Sequence, residues 1–565
     1  MQLSEQEVVR REKLVKLRDL GINPYPADLF PINSNSKKIK QDFTEDKQVI
    51  IAGRLMSRRI QGKASFAELQ DSEGRIQVYF NRDEICAEED KTLYNDVYKK
   101  LLDIGDFIGI EGTLFTTKVG EKTVMVNNFK LLSKALKPLP LPKTDAEGNT
   151  YDEFNDPEMR YRQRYADLVV NSHVKEVFIK RTKLFNAMRS FFNDAGFFEV
   201  ETPILQPIPG GAAARPFITH HNSLDIPLYM RIANELYLKR LIVGGFDGVY
   251  EFSKNFRNEG MDRTHNPEFT AMEIYVSYKD YNWMMDFTEQ LLEYCAIKVN
   301  GSSEATFGEH KIDFKAPYAR VTMADSIKHF TGFDITGKTE NEIREAAKSM
   351  NIPVDETMGK GKLIDEIFGE KCEANYIQPT FITDYPKEMS PLCKEHRENP
   401  ELTERFELMV CGKEIANAYS ELNDPIDQRE RFEHQLKLAQ KGDDEATEFI
   451  DEDFIRALEY GMPPTSGMGI GMDRLIMFLT NNQSIQEVLF FPQMRPEKKA
   501  ASIKLNDEEK AVLAIITKTE KIDLNALKTQ SGLSNKKWDK TIKGLTKNKL
   551  AKVSKTDQGL LVEAL

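Results

Sequence analysis

The chain has 565 residues, 40% of them hydrophobic and 30% charged, and a formal net charge of -12. This length predicts about two to four domains, and the acidic balance excludes a global basic field, so any nucleic-acid surface must be a local patch. Because no run of about 18 apolar residues occurs, we expect no membrane span. Five scattered cysteines without a Cys-x-x-Cys pair favour a reduced, cytoplasmic protein.

The N-terminal part divides into a helix and a series of short strands. Residues 1–45 contain one predicted helix, Glu5 to Leu20, which a glycine and two prolines end. From residue 46 to 135, apolar and polar residues alternate in five segments separated by turns. Such a pattern predicts a small closed β-barrel.

One face of the predicted barrel combines an aromatic ring with polar groups. The residues expected to face outward near Phe66 are Arg58, Arg59, Lys63 and Gln77. A ring, several cations and an amide on one surface suit unstacked bases. The barrel is therefore a candidate RNA-binding domain.

A second, larger domain is expected behind the barrel. Residues 136–170 begin with a proline-rich stretch and are predicted to be a linker. The domain itself, residues 171–498, opens with a helix from about Ser172 to Ala195 and a strand that ends near Pro203. Residues 301–375 hold helical, lysine-rich and acidic stretches, and we expect an insertion there.

The most informative stretch runs from Val249 to Tyr278, where two alternating strand segments flank a polar loop. The loop carries Glu259, His265 and Asn266 among other polar residues. A purely structural hairpin would prefer a short connection, so a long, charged loop favours ligand binding. An ordinary long hairpin with a solvated tip is the alternative.

A second informative stretch contains three carboxylates, Glu407, Glu414 and Glu421, seven residues apart. A helix could produce that spacing, but a glycine turn between β-suited residues favours a hairpin, in which the first two carboxylates would lie close. Two close carboxylates need a cation or a proton between them, and Mg²⁺ with phosphates supplies the cation. Strict alternation separates Glu414 from the face of Asn417 and Tyr419, so one shared site would require a bulge.

Glycines and a basic tail mark the C-terminal part. The glycines that end at Gly471 precede an apolar helix that begins with Asp473 and Arg474, and such a helix N-terminus suits phosphate. Residues 499–565 are predicted to form three helices and a hairpin, a winged-helix-like extension. From Ala501 onward it has thirteen Lys and eight Asp or Glu, a net charge of +5, and could bind nucleic acid or protein.

These stretches resemble class II aminoacyl-tRNA synthetases of the lysyl type. FRNEG and HNPEF in the long loop are similar to motif 2, SGMGIGMDRL is similar to motif 3, and the helix and strand after Ser172 are similar to motif 1, which forms the dimer interface of the family. RRI-x-GKASF and GRIQ resemble its OB-fold anticodon-binding domain. The resemblance implies an α+β fold: a mostly antiparallel sheet with flanking helices, an OB-fold barrel ahead of it and a small helical tail behind.

The resemblance also implies an activity and its residues. It implies activation of L-lysine by ATP to lysyl-adenylate, with Mg²⁺, and transfer to tRNA(Lys) by a homodimer. For lysine, the implied residues are Gly211, Glu235, Arg257, Tyr275, Asn417, Tyr419 and Glu421. For ATP, they are Arg257, Glu259, His265, Asn266, Phe269, Glu273, Gly471 and Arg474, of which Arg257, Glu259 and Arg474 are also implied to be catalytic. Glu407 and Glu414 are implied to hold the metal, and Arg58, Phe66 and Gln77 to contact the anticodon.

Three other functions are compatible with parts of this pattern. An aspartyl- or asparaginyl-type synthetase shares the barrel and the motifs, but its pocket would want a cation where Glu421 stands. A ligase that attaches lysine to a protein usually lacks the barrel. A nucleic-acid-binding protein without activity would not need Arg257, Glu407, Glu414 and Arg474 together.

Overall fold

A computed structural model describes residues 3–144, 150–151, 153–212, 214–356, 358–440, 449–497, 505–519, 521–548, 550–556 and 559–564. The chain forms two compact units, residues 1–493 and residues 494–565. The observed division lies five residues before the predicted start of the C-terminal extension. Among the described residues, no helix is both long enough and apolar enough to cross a membrane.

The first unit begins with a capped helix and a closed five-stranded barrel. Ser4 and Glu7 form a capping box that fixes the start of the first helix. The barrel core consists of inward aliphatic and aromatic residues such as Val78 and Phe80, both fully buried. The elements are α1 (Glu5–Asp19), α2 (Ser36–Gln41), β1 (Gln48–Gln61), β2 (Ala64–Gln70), β3 (Arg75–Asn81), α3 (Arg82–Ile85), a π-helix (Leu93–Leu101), β4 (Phe107–Thr116) and β5 (Lys122–Ser133).

The barrel closes in the strand order β1-β2-β3-β5-β4, which confirms the predicted architecture. β1 contains a bulge between Leu55 and Ser57, where two of its residues oppose one step of β2. A bulge changes which side chains point inward beyond it. This detail decides the orientation of the arginines that follow.

The rest of the first unit is an α+β domain. Its helices are α4 (Pro157–Arg162), α5 (Arg164–Val170), α6 (Ser172–Asp194), α7 (Glu235–Val243), α8 (Tyr281–Asn300), α9 (Met323–Thr331), α10 (Glu340–Ser349), α11 (Lys360–Lys371), α12 (Pro425–Gln440), α13 (Glu452–Glu459) and α14 (Met472–Leu479), with 3₁₀ turns at Glu373–Asn375, Lys387–Met389 and Ile485–Glu487. Its strands are β6 (Lys143–Thr144), β7 (Thr150–Tyr151), β8 (Phe198–Glu199), β9 (Leu205–Gln206), β10 (Ile218–His221), β11 (Ile226–Met230), β12 (Gly248–Phe256), β13 (Glu268–Ser277), β14 (Glu304–Phe307), β15 (His310–Asp313), β16 (Ala319–Thr322), β17 (Thr380–Thr383), β18 (Arg405–Val410), β19 (Lys413–Ser420) and β20 (Thr465–Gly471).

An eight-stranded sheet forms the centre of this domain, in the order β16-β17-β18-β19-β20-β13-β12-β8. Adjacent strands are antiparallel except at its two ends, where β16 pairs with β17 and β8 with β12 in parallel. One face is covered by helices, and a single large core includes Met272, Leu291 and Phe406, all fully buried. The opposite face of the central strands carries the polar residues of the candidate site.

Three predicted segments differ from the observed structure. The strand expected after α6 is interrupted into β8 and β9, which Pro203 and its neighbours separate. Residues 301–375 are not wholly an insertion, because β16 lies at the edge of the central sheet. Residues 136–170 are not wholly a linker either: the buried guanidinium of Arg164 in α5 donates to the carbonyl of Gln486 at 2.8 Å, which joins α5 to the catalytic fold.

The second unit has its own small hydrophobic core around Trp538 and Leu545. The three helices and the hairpin follow the predicted order, and a short additional strand completes a sheet in the order β21-β23-β22. The elements are α15 (Asp507–Thr519), β21 (Lys521–Asp523), α16 (Leu524–Ser531), α17 (Asn535–Lys547), β22 (Ala551–Thr556) and β23 (Gly559–Ala564).

Candidate active site

The strand register brings three of the predicted site residues, Glu273, Asn417 and Glu407, into one row across the sheet. Glu251 pairs with Glu273, Glu273 with Gly469, Gly469 with Asn417, and Asn417 with Glu407. Residues that oppose each other across strands share a face of the sheet. Side chains from β13, β19 and β18 therefore project toward the same space, and Gly469 between β13 and β19 leaves its floor open.

This space is a cavity of about 1190 Å³, above the usual range for one small ligand. Most of the predicted site residues line it, including Gly211, Glu235, Arg257, Glu259, His265, Asn266, Phe269, Glu273, Tyr275, Glu407, Glu414, Asn417, Tyr419, Gly471 and Arg474. Glu421 is not on the lining, and its side chain is fully buried behind Gly467. The cavity has room for two ligands at once.

Arg257 begins the long loop after β12 and faces the ring of Phe269 at the start of β13. The guanidinium carbon lies 5.1 Å from the ring centroid. The Nε of Arg257 is buried and has no hydrogen-bond partner among the described residues. Because an unsatisfied buried donor is costly, this atom indicates a position for an anionic ligand, with the phenyl ring beside it.

The remaining loop residues hold the loop and its neighbour, α14, together. Nδ1 of His265 donates to the carboxylate of Asp262 at 2.8 Å, and its Nε2 lies 3.3 Å from Nη2 of Arg474. Asn266 donates to the carbonyl of Glu268 and accepts from the amide of Gln493. Glu259 is exposed at the rim. Both side-chain ends of Asn266 thus have protein partners, which is the pattern of a residue that shapes the loop.

Asp473 and Arg474 have different tasks at the start of α14. Asp473 is buried, accepts from the amide of Thr270 at 2.7 Å and pairs with Arg181, so it anchors the helix to β13. Arg474 donates to the carbonyl of Glu414 at 2.8 Å and reaches into the cavity. The helix N-terminus adds a partial positive charge beside this guanidinium.

Glu407 and Glu414 lie on adjacent strands that join at a tight turn, as predicted. Cys411 and Gly412 in the turn both have positive φ, 49° and 64°, which matches a two-residue hairpin turn. The pairing shifts between Leu408 and Met409, so a bulge in β19 brings Glu414 to the side of the sheet that Glu407 faces. The hairpin and the required bulge are both present.

Burial, and next the charge of Glu414, raise the pKa of Glu407, although Arg405 at 2.5 Å opposes the shift. A bound cation would relieve the electrostatic repulsion between the carboxylates of Glu407 and Glu414. No group of three or more potential ligands among His, Cys, Asp and Glu occurs in the described part of the chain. The two carboxylates would therefore hold a divalent ion only with further oxygens, as Mg²⁺ is usually held with substrate phosphates.

A buried lysine that the sequence analysis did not single out lies between the two carboxylates predicted to bind amino groups. Lys239, one turn after Glu235 in α7, donates to Glu235 at 2.5 Å and forms an ion pair with Glu421. The hydroxyl of Tyr419 also donates to Glu235, at 2.7 Å. We call Glu235, Lys239, Tyr419 and Glu421 the ammonium pocket.

Aromatic rings surround the ammonium group of Lys239. Its Nζ lies 5.5 Å from the ring centroid of Tyr419, 5.9 Å from that of Phe454 and 6.0 Å from that of Tyr275. Burial opposes the charge, but Glu235 and Glu421 outweigh it, and the pKa of Lys239 is raised. Two carboxylates and several π faces form a strong site for an ammonium ion.

The resemblance places Tyr275 in the lysine site, beside Glu421. The hydroxyl of Tyr275 donates instead to Glu273, at 3.1 Å, because the two residues are on the same face of β13. Burial, and next the charge of Glu235, raise the pKa of Glu273 to about 8. Burial therefore favours the protonated form of this carboxyl group.

The outer face of the barrel corrects one predicted residue. Arg58 opposes Ala67, whose side chain is inside the barrel, and its guanidinium donates to the carbonyl of Tyr98. Arg59 is instead the exposed arginine that opposes Phe66. We call Arg59, Phe66, Gln77 and Tyr79 the aromatic face; the rings of Phe66 and Tyr79 are 4.9 Å apart, and Gln77 donates to Thr123 at 2.8 Å.

Comparison with known families assigns both parts of the first unit. Residues 156–495 match the family described as tRNA synthetases class II (D, K and N), and residues 49–132 match the OB-fold nucleic acid binding domain. The chain belongs to the class II tRNA synthetases.

Relatives narrow the comparison to one member of that class. A lysine--tRNA ligase of Christiangramia forsetii is 77% identical over 559 residues, 99% of this chain and 98% of that protein. A lysine--tRNA ligase of Porphyromonas gingivalis is 70% identical over 505 residues, 88% of this chain and 87% of its own length. A lysine--tRNA ligase of Azobacteroides pseudotrichonymphae is 66% identical over 499 residues, 88% of this chain and 99% of its own length.

Proposed function

We propose that the chain is a lysine--tRNA ligase that joins L-lysine to ATP, forms lysyl-adenylate and pyrophosphate, and transfers lysine to tRNA(Lys). One observation supports the choice of amino acid most directly. The ammonium pocket already holds an ammonium group, that of Lys239, between Glu235 and Glu421. A pocket for aspartate or asparagine would need a cation or a neutral donor in place of Glu421.

In the proposed reaction the chain orients two anions and forms no covalent bond itself. The carboxylate of lysine attacks the α-phosphorus of ATP, and pyrophosphate leaves with the bonding electron pair. Arg257, with its unsatisfied Nε, would neutralise the carboxylate and the α-phosphate together. Arg474 would balance charge toward the leaving phosphates, and Phe269 would stack on adenine. Orientation and charge stabilisation then provide the rate.

The amino-acid end of the cavity would be lined by Gly211, Glu235, Tyr275, Asn417 and Tyr419. Gly211 has a φ of +88°, and a Cβ there would lie 3.1 Å from Cβ of Ala233, so backbone can approach the ligand where a side chain could not. Glu235 would receive the α-ammonium, and the charge of Glu421, which lies behind the lining at Gly467, would attract the ε-ammonium. Glu407 and Glu414 would hold Mg²⁺, which would neutralise part of the negative charge of the ATP phosphates.

The aromatic face would bind the anticodon. Phe66 offers a ring for base stacking, and Gln77 and Arg59 lie on its side of the barrel. Binding through this face would be separable from amino-acid activation, because none of its residues lines the cavity.

A homodimer is part of the proposal and is supported by exposed apolar residues in the motif 1 region. Phe198 in β8 is 58% exposed and lies against Phe246, with ring centroids 5.7 Å apart. In the neighbouring small sheet, Leu205 is 50% exposed and Ile218 is 68% exposed. A surface of this kind usually marks an interface. A cytoplasmic location is proposed as well, in agreement with five free cysteines.

Pyrophosphate exchange with each amino acid in turn, without tRNA, tests the central proposal. Lysine should support exchange, and aspartate and asparagine should not. Charging of tRNA(Lys) with labelled lysine tests the second half-reaction. Exchange that is faster with another amino acid would refute the lysine assignment.

A further inference from the structure

The C-terminal unit differs from the remainder of the chain in charge. Residues 501–565 carry a net charge of +5, whereas the whole chain carries -12, so residues 1–500 carry -17. The relative from Azobacteroides pseudotrichonymphae is matched over 99% of its length by only 88% of this chain. About an eighth of this chain thus lies outside the match to a protein that bears the same ligase name.

Four exposed lysines form one side of α17, namely Lys536, Lys540, Lys543 and Lys547, which we call the lysine face. At about 100° per residue they fall within an arc of about 60°. Trp538, Thr541 and Leu545 are buried on the opposite side, so the core of the unit fixes the direction in which the lysines point.

The lysine face has no direct ion pairs among the described residues, although the charge of Lys540 helps to lower the pKa of Glu508. Among the residues that the structure describes, none of its four ammonium groups has an acidic partner within 4 Å, while Lys537, just beside it, pairs with Glu508 at 2.9 Å. Ordinary surface lysines of this chain are often paired, as Lys100 with Asp96 and Lys338 with Glu342. Successive lysines rise by about 5 Å along the helix, which produces a linear array of positive charge about 16 Å long.

We propose that the lysine face binds the phosphate backbone of RNA and that the RNA is the tRNA which the chain charges, an inference that rests on the proposed function. Lysines act on phosphate as point charges and read no sequence. The face would therefore raise the affinity for all tRNAs equally, while the aromatic face selects among them. The first unit is acidic and therefore does not attract RNA over long distances. A local basic patch on the second unit would supply that attraction.

The test compares two triple variants of the full chain that remove the same charge from the same unit. Lys540→Gln/Lys543→Gln/Lys547→Gln changes the lysine face, and Lys510→Gln/Lys518→Gln/Lys521→Gln is the matched control on α15 and β21. Affinity for tRNA(Lys) and for a non-cognate tRNA is measured from about 50 mM to about 200 mM salt. Trp538 fluorescence and the charge-preserving triple Lys→Arg variant check that the unit stays folded.

The face variant should lower the slope of log affinity against log salt by about 3, roughly one for each lysine. It should lower the affinity for both tRNAs alike, by about tenfold or more at low salt, and the affinities of the control variant should stay within about threefold of the parent. An unchanged slope, as a protein-docking face would produce, overturns the proposal, and so does equal weakening by the control. Lysine-dependent pyrophosphate exchange without tRNA should be the same in every variant; its absence in the parent would instead refute the proposed function.

Discussion

In the ammonium pocket the side chain of Lys239 is fully buried, and its partners Glu235 and Glu421 are buried with it. On the aromatic face, Arg59 is exposed, and Phe66 and Gln77 are half-buried and in reach of solvent. A buried charge without its partner is costly, whereas an exposed charge is screened by water and salt. Substitution of a charged residue should therefore have a large effect on activity or stability in the pocket and a moderate, additive effect on tRNA binding at the barrel.

The largest effect is expected for Glu421→Gln. This change removes one partner of a buried ion pair, which costs roughly 3–5 kcal/mol. We expect kcat/KM for lysine to fall by about two to three orders of magnitude or more, with little change in ATP affinity. Lysine-dependent pyrophosphate exchange across titrations of lysine and ATP measures both.

The matched control is Glu268→Gln, which alters an exposed carboxylate that pairs with Lys254 at 3.5 Å. It should leave the lysine kinetics unchanged. Normal lysine kinetics in a folded Glu421→Gln protein would contradict the assignment of the pocket.

Lys239→Met tests the pocket from the cationic side. It leaves two buried carboxylates without their cation and should lower the free energy of unfolding by about 3 kcal/mol or more. Free lysine can supply the missing ammonium, so saturating lysine should raise Tm more in this variant than in the parent. Lys254→Met, at the surface, should show neither effect, and an equal lysine-induced shift in the Lys239→Met variant would contradict the prediction.

Much of this pocket could be predicted from the sequence, but Lys239 could not be recognised as part of it. The spacing of Glu407, Glu414 and Glu421 and the glycine turn indicated the hairpin, and the alternation showed that a bulge was needed. Lys239 looked like one of several basic residues in an apolar helix. Its four-residue spacing from Glu235 was the available signal, but burial depends on α13 and β19, which are distant in sequence.

On the barrel, the error at Arg58 has a simple geometric cause. Alternation counted from Val49 through Leu55 places Arg58 outward and Arg59 inward. The bulge after Leu55 adds one residue and reverses both directions. The pattern of apolar residues contains no signal for a bulge at that point, so both arginines were expected outward and the resemblance gave the anticodon contact to Arg58 rather than Arg59.

Phe66→Ala should reduce tRNA charging and leave tRNA-free pyrophosphate exchange intact. Loss of one stacked base costs roughly 1–3 kcal/mol, or about a fivefold to hundredfold loss of kcat/KM for tRNA. Phe107→Ala removes another exposed ring of the barrel, one that lies 4.2 Å from the guanidinium carbon of Arg54, and serves as the control. If both half-reactions fell equally, the aromatic face would not be the anticodon site.

Arg59→Gln and Arg58→Gln form a matched pair one residue apart. Arg59→Gln should weaken tRNA charging by about fivefold to tenfold, since an exposed contact to a base or phosphate is worth roughly 1 kcal/mol. Arg58→Gln removes a hydrogen bond to the carbonyl of Tyr98 and should mainly lower Tm. Charging that depends on Arg58 and not on Arg59 would contradict the observed register.

The smallest effect at neutral pH is expected for Glu273→Gln. Because its pKa is about 8 and the ordinary value is 4.5, Glu273 contributes stability that is fully present below about pH 4.5 and lost as the pH rises through 8. Glutamine resembles the protonated form, so activity at pH 7 should stay within about threefold. Between about pH 5 and pH 8 the parent should lose thermal stability that the variant does not lose; parallel pH profiles would contradict a raised pKa.

The glycines of β20 also determine how the substrate range of this cavity could be changed. A Cβ at Gly467 would overlap Glu421 and Tyr275, so any substitution there should disturb the packing of these side chains even without a ligand. A Cβ at Gly469 would have only Cγ of Glu273 nearby, at 3.7 Å, and would project into the cavity. To make this chain accept an altered amino acid, Gly469 should therefore be substituted and Gly467 kept. For the same reason, we expect natural substitutions to be tolerated at position 469 and not at position 467.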